Sequence, residues 1–117
     1  MIYQSGGAVP APGKTFADFS IGMKIFRMVL IRALGIVNMV RDNDAVMEVL
    51  HKEADDIRWT VTRPGMIVEK PSQGTVTPHP TKMLLSKAVT FTDLAKCTLE
   101  LVKSGEYVHE APYVNYY

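Results

Sequence analysis

Apolar positions recur at helical spacing in three stretches of the 117-residue chain, with short β-rich runs between them. The first run, "MIYQS", predicts a strand over Met1–Ser5, and "GGAVPAPGK" after it predicts a loop. From about Asp18 to Leu34, residues Ile21, Ile25, Met28, Val29 and Arg32 follow helical spacing, with Ser20 placed to cap the start and Gly35 to stop the end. A second helix is predicted over about Asn38–Ala54. There Val46, Val49 and Leu50 form the apolar stripe, while Asp42, Glu48, Lys52 and Glu53 line the wet side. "IRWTVT", Ile57–Thr62, is the clearest strand, rich in β-branched residues and ended by Arg63-Pro64-Gly65. Glu69–Leu84 reads as a loop with "GTVT" as a short strand inside it. A third helix is predicted from Thr92 or Asp93, either of which can accept from the first turn, through Leu94, Ala95, Thr98, Leu99 and Val102 to Ser104-Gly105. "APYVNY" closes as a last strand.

Helices alternating with strands predict an α/β layer arrangement with parallel pairing. A parallel strand needs neighbours on both edges and helices on both faces. About three strands and three helices are too few to provide that, so the chain reads as the second half of a larger sheet. No internal repeat and no long linker divides residues 1–117, which read as a single domain.

Composition narrows the function classes. Hydrophobic content of 47% and charged content of 21% describe a chain able to fold around a core. The formal net charge is +1 with acids and bases interspersed, so the pattern gives no footprint for nucleic acid or for an anionic membrane surface. Lys24, Arg27 and Arg32 interrupt the most apolar stretch, Ile21–Val40, which therefore reads as a buried or half-buried helix and not a membrane span. One cysteine, Cys97, permits no internal disulfide and suits the cytoplasm.

Several motifs carry candidate chemistry. Ala8-x-x-x-x-Gly13-Lys14-Thr15 fits a relaxed phosphate-binding loop. Such a loop works through consecutive backbone N–H groups, and Pro10 and Pro12 have none, so a P-loop nucleotide hydrolase is the least favoured reading. His51, His79 and His109 share no metal-ligand spacing with one another or with Cys97. Glu48, Asp55 and Asp56 read as solvated charges, Trp59 and Cys97 as core, and the seven methionines as adaptable packing.

"YQSGG", "RDNDAVMEVL", "IRWTVTRPGM" and "AVTFTDLAKCTLELV", in that order, resemble the carboxyl-terminal half of an atypical short-chain dehydrogenase/reductase, nearest the NmrA-like and flavin/biliverdin reductase-like NAD(P)-binding branch. The resemblance covers about residues 1–116. It implies a partial doubly wound, Rossmann-like parallel sheet with NAD(P)(H) across the carboxyl ends of its strands. It also implies a small carbonyl-bearing or aromatic substrate. By position, Ser5 and Gly6 would lie beside the nicotinamide and substrate, with Ser5 as the candidate catalytic residue. Pro64, Gly65 and Met66 would offer backbone to the carboxamide, with Arg63 at the same rim. Two features of the family are missing: a glycine-rich dinucleotide fingerprint and the Tyr-x-x-x-Lys pair. Cofactor binding by this half is thus expected to be weak, and oxidoreductase activity to need the amino-terminal half. Ser5-Gly6-Gly7 is equally readable as an ordinary loop after a strand, and Arg63 as a structural ion-pair partner. An alternative function is a non-catalytic, truncated reductase whose first strand pairs with a protein partner or a second copy of the chain.

Overall fold

The computed structural model describes residues 1–6, 13, 20–35, 37–84 and 86–117, and all of their side chains except those of Leu30, Leu34 and Val37. In chain order the elements are β1 (Ile2–Gln4), α1 (Ile21–Leu34), α2 (Val37–Glu53), β2 (Thr60–Pro64), β3 (Ile67–Val68), β4 (Thr77–His79), β5 (Val89–Thr90), α3 (Phe91–Ser104) and β6 (Tyr113–Asn115). Contacts divide the chain into two units, residues 1–7 with 57–117 and residues 8–56.

The first unit holds a four-stranded sheet in the order β1-β2-β6-β4. β1, β2 and β6 are parallel, with Ile2 opposite Thr60 and Arg63 opposite Tyr113. β4 runs antiparallel to β6, with Pro78 opposite Val114. β2 lies between two parallel neighbours and is buried along its whole length. β4 is an edge strand, where a proline without an N–H is tolerated. β3 and β5 form a separate parallel pair. The parallel trio matches the three strands expected; β3 and β5 are additions too short to leave a period in the sequence.

α3 packs one side on this sheet. Its Leu94, Cys97 and Leu101 join Val76, Val89 and Val114 in one core, with Ile2, Ile67, Tyr107 and Tyr116 packed against it. Each fully buried aliphatic side chain of this size contributes about 1.5–3 kcal/mol. The helix begins two or three residues earlier than expected, because Thr90, and neither Thr92 nor Asp93, is the cap: its side-chain oxygen accepts from the Asp93 N–H at 3.2 Å. It ends at Gly105 in the left-handed conformation (φ 62°), whose N–H returns to the Leu101 carbonyl. Leu99 and Val102, expected on the apolar stripe, are exposed; the buried row runs through Asp93, Leu94, Cys97 and Leu101.

β2 is also displaced from the expected Ile57–Thr62. The backbone at Ile57 and Arg58 is taken by other groups, the His109 ring at 2.8 Å from the Ile57 carbonyl and the Met1 amino group donating to the Arg58 carbonyl. Pairing starts at Thr60 and continues through Pro64 along β6. The short strand expected at "GTVT" likewise falls later, at Thr77–His79, where β6 provides a partner.

In the second unit, α1 has the expected ends. The Ser20 side chain accepts from the Met23 N–H at 3.3 Å, and Gly35 closes the helix at φ 62°. Its expected buried stripe is turned outward: Ile21 is 76% exposed and Val29 60%. α1 is apolar on nearly every side; Met23, Phe26 and Ile31 are half-buried, and the buried Arg27 reaches α2, bonded to Asp44 at 2.7 Å. α2 buries Val40, Met47 and Leu50, while Val49 is exposed. Among the described residues no helix is long and apolar enough to cross a membrane.

Candidate functional site

The carboxyl ends of β1 and β2 adjoin. Ser5, the first residue past β1, donates its backbone N–H to the Thr62 carbonyl at 2.9 Å, which sets it beside the Arg63-Pro64-Gly65-Met66 exit of β2. The six residues singled out in the sequence therefore fall on one rim. Ser5 is 8% exposed, and among the described residues no heavy atom lies within 4 Å of the position a Cβ on Gly6 would take. Pro64 is fully buried, whereas Gly65 and Met66 face outward. A Cβ on Gly65 would stand 3.3 Å from the Leu84 carbonyl oxygen, so its side-chain space is already occupied.

The Arg63 side chain is buried and runs along the β6 side of the sheet. Its Nε–H donates to the Ala111 carbonyl at 2.7 Å, and its guanidinium carbon lies 3.9 Å from the centre of the Tyr113 ring. Burial pulls its pKa down, with Tyr113 acting in the opposite sense. The guanidinium is thereby placed between β2 and β6.

Next to the rim lies a polar cluster that sequence spacing did not reveal, because its members are far apart in the chain. The Asp93 carboxylate, 1% exposed, accepts from the Ser72 hydroxyl, from the Gln73 N–H at 2.7 Å and from the Tyr116 hydroxyl at 2.6 Å. The Ser72 bond foremost, and then the Tyr116 bond, hold this carboxyl well below the usual carboxylate range. Tyr116 Oη also accepts from the Thr90 N–H at 3.1 Å. In a capping box the acid three residues after the cap reaches back to the cap N–H. Here a phenol carries that link from Asp93 to Thr90. The one visible signal was the Thr90-x-x-Asp93 spacing.

The Gly6 backbone, uncrowded by any of the described residues, is compatible with the approach of a flat ring such as a nicotinamide. The rim residues do not provide for a dinucleotide's pyrophosphate. The chain has no glycine-rich fingerprint, and the positive end of α3 is already matched by its own Asp93.

The other candidates fall elsewhere. Of the Ala8–Thr15 motif only Gly13 lies among the described residues; its φ is 79°, and a Cβ there would meet the His51 ring at 2.7 Å, so the imidazole covers that side of the backbone. Ala8, Pro10, Pro12, Lys14 and Thr15 lie outside the described residues. His79 Nδ1 accepts from the Thr81 and Lys82 N–H groups, and among the described residues no His, Cys, Asp and Glu group could hold a metal. Cys97 is buried, which pushes its thiol pKa up.

No protein-family model and no curated protein matches the chain. Solved structures do. The oxidoreductase ylbE from Lactococcus lactis aligns with a TM-score of 0.60 at 14% identity, covering 97% of this chain and 44% of that one. A protein from Bacillus halodurans assigned as an NAD-dependent epimerase/dehydratase aligns with a TM-score of 0.56 at 19% identity, over 97% of this chain and 44% of that one. The fold is Rossmann-like. A protein from Burkholderia pseudomallei assigned as exported agrees, with a TM-score of 0.53 at 18% identity, over 98% of this chain and 54% of that one. The chain spans about half the length of these structures. In a Rossmann-like sheet ligands bind outside the carboxyl ends of the parallel strands, which here is the edge carrying Ser5 and Arg63–Met66.

Proposed function

We infer that this chain forms the nicotinamide- and substrate-side half of an NAD(P)(H)-linked oxidoreductase of the atypical short-chain type, near the NmrA-like branch, working in the cytoplasm on a small carbonyl-bearing or aromatic molecule. The observation that carries the reading is the Ser5-to-Thr62 hydrogen bond, which sets Gly6, uncrowded by any of the described residues, beside the Gly65-Met66 exit at the carboxyl ends of adjoining parallel strands. When bound, the cofactor would supply hydride. Gly6 would leave room for the ring, Pro64, Gly65 and Met66 would present backbone to the carboxamide, and the Ser5 hydroxyl would face the reacting carbonyl. Binding is expected to be weak, since the pyrophosphate has no seat. Titration of NADPH into the purified chain, followed by cofactor fluorescence, tests this; no fluorescence change at any concentration would overturn it.

A second reading is favoured by one feature of the sheet. Among the described residues β1 ends the strand order at one side, and Pro78 stands in the edge strand at the other. An edge strand with a proline resists pairing. β1, Ile2-Tyr3-Gln4, has neither a proline nor a charge, so a protein partner or a second copy would add at that side and make the chain an interaction module. A concentration-independent monomer in size-exclusion chromatography, with a cooperative melt, counts against this reading.

A further inference from the structure

A second concave feature opens in the first unit, close to the rim. A cavity of about 290 Å³ is lined by Val68, Lys70, Gln73, Ser86, Lys87 and Tyr116, residues drawn from separate segments of the chain. Its volume is near the lower end for small-molecule sites, roughly 300 Å³ and upward, and suits a metabolite-sized ligand.

Val68, Gln73, Lys87 and Tyr116 are held by bonds within the protein. Val68 pairs with Thr90 in the β3-β5 ladder. The Gln73 N–H and the Tyr116 hydroxyl are both held by Asp93. The Asn115 side-chain amide donates to the Lys87 carbonyl at 3.3 Å and to the Leu84 carbonyl at 2.9 Å. A site shaped before its ligand arrives loses less ordering entropy on binding. The Val89 N–H donates to the Met66 carbonyl at 2.8 Å, which couples the β5 side of the cavity to the rim.

The charge selects the ligand. Two lysines and no acid line the cavity. Glu69, beside Lys70 in sequence, is exposed and outside the lining. Asp93 stands behind Gln73 and Tyr116 with its oxygens engaged by three donors. Two lysines against that one carboxylate leave a net positive charge of one.

We propose that this cavity binds the oxyanion group, carboxylate or phosphate, of a small molecule, and that it is the substrate side of the nicotinamide rim. The inference rests on the oxidoreductase reading for the second clause only. It makes the substrate a small anionic carbonyl compound, with Lys70 and Lys87 as its charge partners and Ser86 and Gln73 as hydrogen-bonding neighbours.

The test uses the isotope-labelled full chain without cofactor, titrated separately with inorganic phosphate, succinate and neutral succinamide, and read by amide shifts. The expected result is a saturable shift centred on Gln73, Ser86, Lys87 and Ala88 with phosphate or succinate and none with succinamide. A response to one anion alone identifies which oxyanion is preferred. The Lys70→Met/Lys87→Met double variant, altering only exposed residues, should melt like the parent and bind the anion about tenfold more weakly or worse, since hydrogen bonds to charged groups are lost. Shifts equal to those with succinamide, no saturable shift, or unchanged affinity in the double variant would overturn the site. A parallel NADPH titration reads Gly6, Gly65 and Met66. Silence there with an intact anion response removes the substrate assignment and leaves the oxyanion site.

Discussion

The Tyr116 hydroxyl donates to Asp93 Oδ2 at 2.6 Å and accepts from the Thr90 N–H at 3.1 Å, so one phenol joins the segment after β6 to both the cap and the first turn of α3. Removing the hydroxyl leaves a buried carboxylate short of a donor and a helix-cap N–H without its acceptor. Tyr116→Phe is expected to lower the melting temperature by roughly 5 °C, the scale set by losing hydrogen bonds in a domain of this size. Thermal unfolding followed by circular dichroism measures it.

The same carboxylate gives the fold an acid limit. Asp93 has a folded pKa below its ordinary value of 3.8, so its contribution to stability is fully present above that value and is lost as the pH falls through the folded pKa. Asp93→Asn should therefore be less stable than the parent at neutral pH, and the difference should shrink below about pH 4. Melting temperatures at pH 2.5 and pH 7 would show a constant gap if Asp93 were unimportant to this limb.

Gly6 and Gly65 separate packing from function. Among the described residues no atom crowds a Cβ at Gly6, so Gly6→Ala should melt with the parent and weaken NADPH binding if a ring approaches there. Gly65→Ala pushes against the Leu84 carbonyl at 3.3 Å and is expected to destabilise by about 1 kcal/mol, the low end for overpacking. Denaturant unfolding alongside NADPH titration distinguishes the two.

Arg63 is held by geometry that lysine cannot reproduce. An ammonium cannot both donate as Nε does to Ala111 and lie flat over Tyr113. Arg63→Lys should cost about 2 kcal/mol, from a charge-assisted hydrogen bond and a desolvated cation–π contact. Urea unfolding reads this directly, and Tyr113→Leu should account for the smaller part.

Cys97 is buried with a raised thiol pKa, so a disulfide reagent at pH 7.5 should leave it unmodified in the folded chain and label it rapidly in denaturant. Fast labelling of the native chain would show that α3 opens readily.

Element type and several element ends were legible because they depend on neighbours in sequence. Ser20 and Gly35 bound α1 as their side-chain chemistry requires, Gly105 ends α3, and the β-branched run before Arg63-Pro64 forms the central strand. Ser5-Gly6 follows β1 and Gly65-Met66 follows β2, and the parallel pairing of these two strands puts their ends together. Which helical face is buried was not determined this way. Ile21, Ile25, Met28 and Val29 are spaced correctly and still point outward, because α1 offers apolar residues all round and the contact with Asp44 on α2 favours the Arg27 side. The β3-β5 pair, the Asp93 cluster and the lysine-lined cavity arise only when residues such as Ser72, Asp93 and Tyr116 meet across the fold. Local spacing carries the energetics of turns, caps and periodic faces; the partners of a buried charge, and the space left between segments, are set by tertiary packing alone.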